Sequence, residues 1–134
     1  SEQVDIQWQV ATAFALYAEG KHDDALKAMS AAADAEDKTE KAPVTPGVPE
    51  PARELYGVML LDRAMAREAL AAFEATIQKE PNRFNALAGS ATAAERLGDP
   101  PTAKGNYQKL VALADNAETD RPGLAAARAF LATN

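Results

Sequence analysis

The segment Ala69-Leu70-Ala71-Ala72-Phe73 returns 34 residues later as Ala103-Lys104-Gly105-Asn106-Tyr107, with a small residue four positions ahead of a large aromatic in both. Four positions are about one helical turn, so the small and the large side chain share a helix face and can interlock with a neighbouring helix. Recurrence of such a pair at this period implies stacked helix–turn–helix units, none of which can bury its apolar face alone.

Working outward, the middle unit occupies about 50–83, with one helix predicted from Pro51 to Arg63 and a second from Ala66 to Lys79. Proline suits a helix start, because its missing N–H falls among the unpaired donors of the first turn. Pro81 closes the unit. The third unit covers about 84–117. Asn82 is predicted to cap a helix reaching Leu97, and Gly98 to end it. Asp99 then caps a second helix with Pro100-Pro101 in its first turn, facing inward through Ala103, Tyr107 and Leu110 or Val111.

The first unit, about 6–39, reads as a helix from Trp8 to Glu19, a stop at Gly20 and a second helix starting at Asp23 or Asp24. Ala25 and Met29 take its small and bulky slots, and Gly20 precedes Ala25 by the five residues that separate Gly98 from Ala103. Ala25 and Ala69 are 44 residues apart, ten more than one period, and the surplus falls in the Pro-rich insertion 41–51. Its two PxxP runs, Pro43 to Pro46 and Pro46 to Pro49, suit either a ligand for an aromatic-lined domain or a stiff connector lying across the array. The segment 120–132 forms one more helix, with a stripe of Leu124, Ala127, Phe130 and Leu131 that caps the last unit. The expectation is a single all-α domain over 1–134, with seven helices, no sheet and three hairpins wound into a right-handed superhelix.

Composition agrees with tight helix packing. Hydrophobic residues make up 47% and charged residues 25%, but aromatics only 6%, so alanine dominates the apolar share. Alanine is the best helix former and lets helix axes approach closely. The net charge of −6, from 14 basic and 20 acidic residues, argues against nucleic acid or an anionic membrane surface as partner. No apolar run nears the ~20 residues that span a bilayer. The absence of cysteine excludes disulfides, thiolate catalysis and thiolate metal sites. The chain opens Ser1-Glu2-Gln3 without a signal-peptide pattern, as a processed protein or an excised fragment would.

Tyr56-Gly57, Leu60, Ala69, Phe73 and Pro81 match the tetratricopeptide-repeat pattern, which the chain resembles over most of its length and most specifically from Leu55 to Leu113. The runs starting at Glu40, Pro51 and Glu80 are also similar to the C-terminal part of longer uncharacterised bacterial tetratricopeptide proteins, some of them exported. That leaves the compartment open between periplasm or exterior and cytoplasm. The departures fall mainly in the first unit, where Trp8 stands one residue early and Ala13 replaces the glycine. In the third unit Ala91 replaces it.

In such repeats the first helix of each hairpin lines a concave face. The resemblance implies that this face comprises Gln7, Val10, Phe14, Tyr17 and Ala18; Pro51, Glu54, Val58, Leu61 and Asp62; and Asn85, Ala88, Thr92, Glu95 and Arg96. Phe14, Tyr17, Glu54, Val58, Asp62, Asn85, Thr92 and Arg96 are the candidate partner-binding residues. The other reading of the apolar members is burial against neighbouring helices. Glu54, Asp62 and Glu95 disfavour a clamp for a terminal carboxylate and favour a basic or mixed-charge ligand.

His22-Asp23-Asp24 lacks the spacing of a metal-ligand set, and aspartate at a helix start has its own electrostatic reason. No nucleophile elbow, phosphate loop or zinc-protease motif occurs. The function expected is therefore a non-catalytic module, without cofactor or metal, binding a protein or peptide on the concave face. The alternative is a structural module of a larger bacterial protein, self-assembling or docked to its own N-terminal region.

Overall fold

The computed structural model describes residues 2–39, 50–115 and 123–134. Among them are seven helices and no strand, as the all-α reading requires: α1 (Glu2–Ala18), α2 (His22–Thr39), α3 (Ala52–Asp62), α4 (Ala66–Lys79), α5 (Phe84–Arg96), α6 (Pro100–Asp115) and α7 (Leu124–Thr133). Each helix packs on the next in chain order, and α3 also touches α5. The PxxP runs of the insertion, and the start of the segment 120–132, lie outside the described residues.

The hairpin turns share one design. The backbone N–H of Lys21 bonds the Leu16 carbonyl, Met65 that of Leu60 and Asp99 that of Ala94, all at 2.9 Å. Each bond spans a residue in the left-handed region: Gly20 (φ +84°), Ala64 (φ +61°) and Gly98 (φ +73°). This is the closure that satisfies orphan carbonyls at a helix C-terminus, and glycine suits it because a Cβ clashes there. The middle turn does it with alanine. Ala64 precedes Ala69 by the same five residues as its glycine counterparts precede Ala25 and Ala103.

Two predicted boundaries need correction. α1 starts at Glu2, well before Trp8, and its added turns bury Ile6. Asn82 does not cap α5. The Arg83 N–H bonds the Glu80 carbonyl at 3.3 Å to close a turn over residues 80–83, so Arg83 becomes the cap residue and the helix begins at Phe84. Asp99 does cap α6, its carboxylate accepting from the Thr102 N–H at 3.3 Å and the Thr102 hydroxyl at 2.6 Å.

Three apolar clusters run through the slab. Ala13, Met29, Ala32, Ala33, Ala52 and Met59 join α1, α2 and α3. Leu60, Ala69, Ala72, Phe73, Ala86 and Ala93 join α3, α4 and α5. The third, centred on Leu87, Ala91, Ala103, Tyr107 and Leu110, reaches Leu124 and Ala127 of α7. Phe73 is fully buried, its ring pressed between two glycines on different helices. A Cβ at Gly57 of α3 would lie 2.8 Å from the ring, and one at Gly89 of α5 only 2.4 Å away. Both backbones therefore approach Phe73 closer than any side chain permits.

Polar ties fasten α2 to its successors. The Glu36 carboxylate accepts from the Ala52 N–H at 2.9 Å, and Arg53 reaches Asp34 at 2.8 Å and Asp37 at 2.7 Å. Lys79 of α4 closes on Asp37 at 2.7 Å. Burial raises the Asp37 carboxyl, but Lys79 and Arg53 outweigh it and hold the group below its ordinary value.

Truncating Phe73→Ala empties the space between two helices that cannot close further, and should cost ~3–5 kcal/mol in denaturant unfolding. Gly89→Ala should also destabilise, although alanine is the better helix former by ~1 kcal/mol; a gain in stability would show that the ring does not hold α5. Ala64→Gly should raise the melting temperature, because relieving a left-handed alanine is worth about 1 kcal/mol. A lowered temperature would mean that the turn carries no strain.

Candidate functional site

α1, α3 and α5 are the first helices of their hairpins, and side-chain ties join them in one row. Tyr17 of α1 donates its hydroxyl to the Asp62 carboxylate of α3. Arg96 of α5 donates Nη1 to the Leu61 carbonyl at 3.1 Å, placing a cation at the negative end of α3. Val58, Leu61, Asp62 and Arg96 line a shallow depression of about 310 Å³. Phe14 stands one turn before Tyr17 and Val58 one turn before Asp62, so both belong to the same row. Phe14 is 47% exposed and Val58 51%, which is high for large apolar side chains in so alanine-rich a protein.

Burial, and then the bond to Asp62, raises the Tyr17 phenol. The edge of its ring meets His22 at 4.5 Å between centroids, so the lone histidine supports the first hairpin turn. Among the described residues no group of three or more His, Cys, Asp or Glu side chains could hold a metal ion. None of the described helices is long and apolar enough to cross a membrane.

Of the eight candidate residues, Phe14, Tyr17, Val58, Asp62 and Arg96 come together. Thr92 lies one turn from Arg96 but is half-buried, with its hydroxyl bonded to the Ala88 carbonyl at 3.0 Å. Asn85 is exposed two turns earlier, near the start of α5. Glu54 must be corrected. It is 1% exposed and held by Arg83 in a two-point ion pair, Nε to Oε1 at 2.9 Å and Nη2 to Oε2 at 3.0 Å, so it offers a ligand nothing. The bonds to Glu54 in turn raise the Arg83 guanidinium above its ordinary value despite partial burial. Arg83 lies 29 residues from Glu54, and no periodicity marks the pair.

Tyr107 of α6 supports this face from behind, through Glu95. Its ring is buried against Phe130 of α7, at 5.0 Å between centroids, while its hydroxyl donates to Glu95 of α5. Burial and then the Glu95 carboxylate push the phenol up to about 12. The folded protein thus holds the proton more tightly than the unfolded chain, whose tyrosines ionise near 10. Stability from this group is complete below pH 10 and is lost as pH rises through 12. An alkaline absorbance titration should show the last tyrosine ionising near about 12, together with loss of helix, and Tyr107→Phe should remove that step. Three tyrosines titrating together near their ordinary value would contradict the buried arrangement.

No protein-family model and no curated protein matches the sequence. Among solved structures, the chain is similar to the crystal structure of PcrH from Pseudomonas aeruginosa, with a TM-score of 0.73 at 20% identity over 96% of this chain and 90% of that one. It is also similar to PcrH in complex with the chaperone binding region of PopB, with a TM-score of 0.72 at 20% identity over 95% of this chain and 94% of that one. At this identity the likeness is one of fold, and it extends over the length of the molecule: the chain has an all-α, tetratricopeptide-like helical-repeat architecture.

Proposed function

We propose that the protein is a non-catalytic module that binds an extended peptide or protein segment along the row formed by α1, α3 and α5. The observation that carries this reading is the exposure of Phe14 and Val58 beside polar groups already fixed by the Tyr17–Asp62 and Arg96–Leu61 ties. Exposed apolar surface rimmed by ordered polar groups is the usual mark of a contact site. A shallow depression lined by Val58, Leu61, Asp62 and Arg96 suits one side chain of a bound segment better than a whole small molecule, which needs an enclosing cavity. The complex of PcrH with the chaperone binding region of PopB supports the reading, since a protein of this fold binds a segment of another protein.

Asp62 and Glu95 are exposed on the row, and Arg96 is occupied by a carbonyl, so a ligand with apolar and basic side chains fits best. Structural service within a larger bacterial protein remains the second reading, and the observation favouring it is the exposed outer face of α1.

The test is a peptide array followed by titration of the best binder in solution. Val58→Asp and Phe14→Ser should each weaken binding at least tenfold, about 1.4 kcal/mol, while Lys104→Glu on the far side should leave it unchanged. Equal losses in all three variants, or none in the first two, would move the site elsewhere.

A further inference from the structure

The first helix is apolar on two sides. Ile6 and Ala13 are buried in the core, yet Val4 is 61% and Trp8 74% exposed, and Ala11, Ala15 and Ala18 are exposed with them. Positions 4, 8, 11, 15 and 18 alternate steps of four and three, the spacing that makes a continuous seam along a helix for packing against another. The only charged side chain described on α1 is Asp5, so no charge interrupts the seam.

The repeats show what such a seam is for. Ala52 and Met59 of α3 pack on α2, and Ala86 and Ala93 of α5 pack on α4. Each pair lies 34 residues from the other, and Trp8 and Ala15 lie 44 residues before Ala52 and Met59, the same offset that relates Ala25 to Ala69. Trp8, Ala11 and Ala15 thus form the face which, in the two later hairpins, is covered by the preceding helix. α6 in turn is covered by α7. The standing of Trp8 one residue early turns it by about 100° on the helix, out of the core and onto this seam.

We propose that the occupant of this face is the α1 of a second copy, running antiparallel. Side-chain size argues for a second copy and for its direction. The bulky members, Val4 and Trp8, lie in the first half of the seam and the small ones, Ala11, Ala15 and Ala18, in the second. Antiparallel pairing sets Trp8 over the partner's Ala15 and Val4 over the partner's Ala18, with the two Ala11 residues meeting at the two-fold axis. Every layer then joins a large side chain to a small one, or two small ones at closest approach. Parallel pairing would set tryptophan on tryptophan and leave voids between alanines.

In the antiparallel arrangement the two helix dipoles also oppose. A helix of 17 residues is about 25 Å long, which places the contact at the small end of specific interfaces and makes the dimer concentration-dependent. This inference does not rest on the peptide-binding reading: Val4, Trp8, Ala11 and Ala15 lie off the α1–α3–α5 row, and the seam meets that row only at Ala18.

The experiment is sedimentation velocity of the whole chain from ~1 to ~500 µM, which would register even a Kd near ~100 µM. Fluorescence is followed in parallel, because Trp8 is the sole tryptophan. The expected result is a monomer–dimer equilibrium, with emission moving to shorter wavelength as Trp8 is covered. Ala15→Glu, an exposed substitution compatible with helix, should abolish both effects without lowering the melting temperature, while Val58→Asp should leave both intact. The chain has no cysteine of its own, so single-cysteine variants report orientation cleanly. Ala11→Cys alone should crosslink, as should a mixture of Val4→Cys and Ala18→Cys, and Val4→Cys alone should not. A strict monomer at the highest concentration, a dimer indifferent to Ala15→Glu, or crosslinking of Val4→Cys with itself would each overturn the proposal.

Discussion

The ring of Phe73, clamped between the backbones of Gly57 and Gly89, sets the spacing of the middle of the array. A phenyl ring wedged between two Cβ-bearing helices would push α3 and α5 apart. Two glycines let both helices close on it, so that α3 touches α5 as well as α4. The other bulky slots meet different neighbours. Met29, flexible and unbranched, shares its cluster with Ala13 and Leu55. Tyr107 shares its cluster with Ala91 and meets Phe130 of the last helix.

That packing has a direct consequence at the candidate site. Arg96 can reach the Leu61 carbonyl only because α5 lies close to α3, and Tyr17 can reach Asp62 only because the first hairpin stacks in the same sense. The inner row is therefore the outer expression of the core contact at Phe73. Phe14 and Val58 take no part in either tie and project from a row whose polar neighbours are already satisfied. Such a surface is preorganised: a ligand would not have to order it on binding.

The ion pairs play a different part. Arg53 with Asp34 and Asp37, and Lys79 with Asp37, are partly open to solvent, and solvent-screened pairs contribute little to stability. They sit where α2 ends, α3 begins and α4 ends, and so define how the first hairpin meets the second. The Glu54–Arg83 pair is the buried counterpart. Removing its arginine would strand a carboxylate in the core, whereas removing its glutamate leaves an arginine that can still reach water. The outer helices also differ: α6 is covered by α7, whereas Trp8 and its neighbouring alanines are exposed on α1.

Short-range chemistry, readable from the residues alone, determined that the chain is helical, where most hairpins turn and which small and bulky residues interlock. Ala69 with Phe73, Ala103 with Tyr107, and Gly98 with the Asp99 cap all follow from spacing and local backbone preference. The same logic reaches Ala64, five residues before Ala69, yet alanine there carries no glycine-like signal for a left-handed turn. Gly89, a glycine inside a helix, has no local reason for its place, and the reason is the Phe73 ring of α4 lying against it. Tertiary structure alone decided that Glu54 is a core anchor and not a groove residue, that Tyr107 reaches Glu95, and that Trp8 faces outward. Those outcomes depend on which helix stands beside which across tens of residues. Propensity does not contain that information, being a property of a single turn, and the 34-residue recurrence marks equivalent positions without saying which side chains meet between them.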